Sequence, residues 1–171
     1  MTIQKYHPLL KTIHWLMMIA ISTILVLGFV MVEFKDCEPW GLYEWHKSLG
    51  VLVFVLFWLR VLTRWLTTVP PLPETIPAIQ RFTAHIVAYL LYICMLVMPV
   101  SGYAVSNMNG YGVKFFGYPL PTMFAENPEL AQLAEQIHTY TAYVLLALLA
   151  LHILGVILHH LQGEEILRRM T

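Results

Sequence analysis

Apolar residues run along this chain in four long blocks, separated by segments where polar residues, Pro and Gly gather. The blocks extend from about Thr12 to Val32, Tyr43 to Leu66, Phe82 to Val105 and Gln136 to Leu161. Each holds roughly the 20 residues that an α-helix needs to cross the hydrocarbon core of a bilayer. The first carries no charge, and the second holds Arg60 near its end. The pattern predicts an all-α protein, an integral membrane four-helix bundle, with residues 1–171 forming one transmembrane domain and no internal repeat. The first block has membrane length and no small-residue cleavage site after it, so a retained helix is expected there.

Composition sharpens this picture. Hydrophobic residues make up 58% of the chain and charged residues 12%, about half the charged share of a soluble domain. The formal net charge of zero gives no reason to expect a nucleic-acid partner. The linkers differ in character. "FKDCEPWGLYEW" is a short acidic turn, "TTVPPLPETIPAIQR" is Pro-rich and expected to be extended, and the long "SNMNGYGVKFFGYPLPTMFAENPELAQLAEQ" brings aromatics suited to the membrane interface. Cys37 and Cys94 fall in a loop and deep in a helix, so no disulfide between them is expected.

Lys and Arg orient the bundle. The N-terminus, second linker and C-terminus with their flanks carry seven, namely Lys5, Lys11, Arg60, Arg64, Arg81, Arg168 and Arg169, against three (Lys35, Lys47, Lys114) on the other side. Acidic residues run the other way, three against seven. Both termini are therefore expected to face the cytoplasm.

Ionisable groups are expensive in hydrocarbon and mark functional sites there. His138 and His152 are 14 residues apart in the fourth block. That interval is about 40° short of four helical turns and about 21 Å of rise, so the two share a face at different depths. His46 lies just inside the outer end of the second helix, as His138 does for the fourth. His14 lies just inside the inner end of the first, at the depth the arithmetic gives for His152, about 5 Å from the inner edge of a ~30 Å core. The expected pairs are His46 with His138 (outer) and His14 with His152 (inner). His159 falls at or beyond the core edge, and His160 points about 100° away from it; both are expected at the interface.

Two depth-matched imidazole pairs in a dry helical bundle suit the iron of two haems. Zinc would want about four ligands, and neither Cys nor an acid joins either pair. No CxxCH signals covalent attachment. The same 14-residue interval leads from His14 to Gly28 and from His46 to Arg60. Gly28 is expected to leave room for the outer ring system, and Arg60 to meet a carboxylate of the inner one. Arg64, a turn further out, is expected at the interface. His85 lies at inner-site depth, where propionate contact, a quinone-pocket lining, rivalry with His14 and a plain hydrogen bond to a carbonyl all remain open.

The stretches "TIHWL", "WHKSLGV", "MPVSG", "QIHTYTAY" and "LHILGVILHH" resemble the bacterial cytochrome b561 family over nearly the whole chain. The resemblance implies a multi-pass protein of the bacterial inner membrane with two non-covalent haem b groups, and ligand positions that fall on His14, His46, His138 and His152. It also implies superoxide:ubiquinone oxidoreductase activity, with superoxide as donor outside and ubiquinone as acceptor. For an anionic donor, the residues to steer it are Lys35, Lys47 and Lys114. A second expectation is an electron-transferring membrane anchor that links a redox partner protein, such as a dehydrogenase, to the quinone pool.

Overall fold

Four helices correspond to the four apolar blocks in the computed structural model, which describes residues 4–34 and 41–171. Helix α1 spans Pro8–Glu33, α2 Leu42–Leu66, α3 Ala78–Met108 and α4 Pro128–Leu161. Lys35 and Cys37 lie outside the described residues; Cys94 is a buried free thiol.

Three helices begin before their apolar blocks, because capping rather than hydropathy sets a helix start. The His7 side chain accepts the Leu9 N–H ahead of α1, whose first residue is Pro8. Asn127 accepts the Leu130 N–H at 3.1 Å ahead of α4, with Pro128 and Glu129 in the first turn. An amide cap, a proline whose missing N–H is not needed, and an acid near the positive helix end all favour starting there. Helix α3 begins directly after Pro77, so the end of the Pro-rich linker is helical rather than extended. The long third linker is shorter than its polar stretch suggests, and it contains a hairpin of β1 (Lys114–Phe115) and β2 (Tyr118–Pro119). Its two turn residues, Phe116 and Gly117, both have positive φ, at 46° and 92°, as a tight two-residue hairpin demands.

Packing follows the chain. Helix α1 lies along α2, α3 along α4, and α2 against α3, while the pairs α1–α4 and α2–α4 are not closely packed backbone to backbone. The two helical hairpins thus leave a slot between α4 and the α1–α2 pair. The core sits midway along the bundle, built from Ile13, Met17, Ala20 and Ile21 of α1, Val53 and Phe57 of α2, Leu91 and Cys94 of α3, and Leu145 and Leu148 of α4. Only 11–17% of each helix's most apolar window is buried within the protein. The remaining apolar surface is too large for water and is solvated by lipid.

The termini meet at one end of the bundle. Arg169, 5% exposed, donates to the carbonyls of Pro70 and Pro71 at 2.8 and 2.7 Å and to that of Gln4 at 3.3 Å. Its guanidinium also lies 5.6 Å from the centre of the Tyr6 ring. Lys11 Nζ donates to the Thr171 oxygen and Trp15 Nε1 to the Met170 carbonyl, both at 2.9 Å. The N-terminal segment, the Pro-rich linker and the C-terminal segment are thereby tied into one cap, the same three segments that gather the Lys and Arg residues.

Candidate functional site

Two pairs of histidines face each other across the slot. The rings of His46 (α2) and His138 (α4) have centroids 6.1 Å apart, and those of His14 (α1) and His152 (α4) 6.3 Å apart, each with planes inclined at 69°. All four rings are half-buried. The structure thus brings together the two pairs that depth and phase select, on helices whose backbones stand apart.

The spacing fits an iron between each pair. A metal–imidazole bond of about 2.0–2.1 Å plus roughly 1.1 Å from ring nitrogen to ring centre would give about 6.3 Å between the centroids of two imidazoles that hold one metal between them. Among the described residues no group of three or more His, Cys, Asp or Glu gathers anywhere, so the donor sets suit a centre that takes two axial nitrogens rather than a zinc shell.

Each outer imidazole rests on a glycine of a neighbouring helix. A Cβ on Gly102 would lie 3.0 Å from His138 Cε1, and one on Gly28 would lie 3.2 Å from His46 Cε1. Gly28, expected from the sequence to leave room for the outer ring system, lies against the ring of His46. Gly102 appeared in the sequence only as a packing glycine after Pro99. The parallel extends to the backbone. His138 Nδ1 lies 3.1 Å from the carbonyl of Met98, four residues before Gly102. His46 Nδ1 faces the backbone at Ile24, four residues before Gly28, without closing a well-formed hydrogen bond. Only on the His138 side does a hydroxyl join, that of the buried Ser101 at 3.1 Å.

The inner pair has a cation instead. Arg60 is within electrostatic range of both His14 and His152. It is held by a hydrogen bond from Nε to the Tyr92 hydroxyl at 3.2 Å and a longer one from a terminal nitrogen to the Leu10 carbonyl at 3.4 Å. Tyr92 escaped sequence reasoning, because an aromatic in an apolar helix is ordinary core material; its ring indeed packs on Phe57 at 6.0 Å. Arg64 is exposed a turn further out. His85 is exposed on α3 and makes no hydrogen bond or ion pair among the described residues, so the structure does not join it to the inner pair. His160 is exposed, whereas His159 is half-buried with a Nδ1 that finds no partner.

The outer lysines separate in character. Lys47 is engaged with Glu44 at 3.8 Å, the Gly112 carbonyl at 3.3 Å and the face of Tyr111. Lys114 is exposed, and its side chain makes no hydrogen bond or ion pair among the described residues. Glu135 lies in electrostatic range of His138, so the outer pair sees charge of both signs. At the opposite end, a cavity of about 520 Å³ opens among Lys11, Thr12, Trp15, Ile19, Met170 and Thr171. Its Trp15 ring is 5.6 Å from that of His14.

The profile of the prokaryotic cytochrome b561 family matches residues 5–171. The chain is 29% identical to cytochrome b561 homolog 2 of Escherichia coli K12, over 99% of this chain and 92% of that protein. It is 27% identical to the probable superoxide oxidase CybB of Yersinia pestis, over 98% of this chain and 96% of that one. It is 26% identical to cytochrome b561 homolog 1 of Escherichia coli K12, over 92% of each.

Proposed function

The chain belongs to the prokaryotic cytochrome b561 family, a haem b electron-transfer family of the inner membrane, and from that premise we propose that it is a di-haem superoxide:ubiquinone oxidoreductase. The observation that carries the di-haem part is the two pairs of facing imidazoles, with centroids 6.1 and 6.3 Å apart. His46 and His138 would hold the outer haem, His14 and His152 the inner one. When bound, a haem iron held by two histidines would supply one-electron transfer rather than oxygen binding.

The chain's own residues supply the rest. The apolar core of Phe57, Leu91, Leu145 and Leu148 lies between the two pairs and keeps water out of the space that separates them. Arg60, anchored by Tyr92, offers the fixed charge a propionate of the inner haem requires in a dry bundle. The open groove beside Trp15 and Lys11 has a mixed polar and apolar lining and lies next to the His14 ring, and a quinone headgroup would be received there. The excess of Lys and Arg at this end supports a cytoplasmic reading of it, and on that reading protons for quinone reduction would come from that side. Overall, two superoxide anions, one ubiquinone and two protons give two dioxygen molecules and one ubiquinol.

Superoxide as donor rests on the likeness to the probable superoxide oxidase of Yersinia pestis. Its approach is assigned to the outer pair, where Lys114 is the exposed cation among the described residues; Lys35 would add to it, and Lys47 is already engaged. The purified protein, given enzymatically generated superoxide and a short-chain ubiquinone, should form ubiquinol at a rate well above the uncatalysed one. A protein that forms none, yet is reduced by a dehydrogenase, is the membrane anchor instead.

A further inference from the structure

Ser101 is buried to 7% exposure in the C-terminal third of α3, one residue before the glycine on which the His138 ring rests. His138 Nδ1 has two oxygens at 3.1 Å, the Met98 carbonyl and Ser101 Oγ. A carbonyl only accepts, so Nδ1 must carry its hydrogen; the other tautomer would press a nitrogen lone pair against the Met98 oxygen. Ser101 is free to accept as well, because its own hydrogen goes to the Val97 carbonyl at 2.8 Å or the Met98 carbonyl at 3.1 Å. The Nδ1–H is therefore shared by two acceptors, and Nε2 is left with the lone pair that could bind a metal.

The other three histidines lack this. His46 Nδ1 faces the backbone at Ile24 without closing a well-formed hydrogen bond, and no hydroxyl joins it. Among the described residues no hydroxyl or carbonyl makes a hydrogen bond to the ring of His14 or His152. One of four equivalent imidazoles is thus set apart by a serine that the packing of the helices alone does not require.

Resting on the ligand reading above, we propose that Ser101 is a positioning residue that fixes the His138 tautomer and lowers the reduction potential of the outer haem relative to the inner one. Acceptors on Nδ1–H push electron density onto Nε2, which makes the imidazole a stronger donor to iron and favours the oxidised state. The outer haem, the first to meet an external donor, is thereby the one from which an electron passes inward downhill.

The test is a potentiometric titration of the holoprotein, with the outer haem assigned as the one that His138→Ala removes. Ser101→Ala should retain two haems and move the outer potential upward while the inner one stays. Ser101→Thr, which keeps the hydroxyl, should hold the native value, and Ser101→Cys, a weaker acceptor, should fall between. An outer potential unchanged in Ser101→Ala with both haems bound overturns the inference. So do equal shifts in the Ala and Thr variants, which would report packing rather than hydrogen bonding. A His138→Ala protein that keeps both haems overturns the ligand assignment beneath it instead.

Discussion

Gly102 and His138 approach so closely that a Cβ on the glycine would stand 3.0 Å from Cε1 and 3.3 Å from Nδ1 of the imidazole. The bare backbone of α3 is the surface on which a ring of α4 lies. Gly102→Ala should push the ring by a few tenths of an ångström and loosen the outer haem, and Gly102→Val should eliminate it. Gly28→Ala, with 3.2 Å to His46 Cε1, should act in the same direction more weakly. Gly155 has nothing within 4 Å of an added Cβ, so Gly155→Ala serves as the control, neutral or stabilising by up to about 1 kcal/mol through helix propensity. Haem content and the reduced-minus-oxidised spectrum read all four.

The four histidines should divide by pair. His46→Ala and His138→Ala should remove the outer haem and leave most of the inner one; His14→Ala and His152→Ala should do the reverse. His159→Ala and His160→Ala should retain both. Loss of a haem from His159→Ala together with full retention in His152→Ala would show that the helix was read one or two turns out of register.

Arg60 should act on the inner haem alone. Its positive charge near His14 and His152 disfavours the oxidised, more positive iron, so Arg60→Gln should lower the inner potential and leave the outer one in place. Tyr92→Phe removes only the hydroxyl that accepts from Arg60 at 3.2 Å, and a smaller shift of the same sign is expected. Redox titration of the two variants side by side checks both statements.

Arg169 should matter for stability rather than for electron transfer. Replacing it by Ala leaves the carbonyls of Pro70 and Pro71 without their buried donor. Hydrogen bonds to a charged group are worth about 1.5–3 kcal/mol each, and part of that loss is recovered by water, so a destabilisation of about 2–4 kcal/mol is expected. Thermal unfolding in detergent should show a lower midpoint with an unchanged haem spectrum at low temperature.

The sequence carried the larger features of both fold and site for one physical reason. A bilayer forces the spans to be helices, and a helix has a fixed rise and twist, so residue numbers convert directly to depth and phase. That conversion is enough to pair His46 with His138 and His14 with His152. It gives no account of contacts between helices. Gly28 and Gly102 are glycines because of where a neighbour's ring rests, Ser101 matters because of a ring on another helix, and Tyr92 because of an arginine 32 positions away. The helix starts at Pro8 and Pro128 were set by caps that hydropathy does not register. Arg169, counted in the sequence only among the orienting cations, is buried because the segments at Gln4 and at Pro70–Pro71 converge on it.

The central claim is that each facing pair of imidazoles holds one haem b. It is tested most directly by a pyridine haemochrome assay, calibrated against protein by amino-acid analysis, on the wild-type protein and His138→Ala in parallel. Two haems per chain in the wild type and one in the variant are the predicted values. One haem or none in the wild type, or the same count in both proteins, would contradict it.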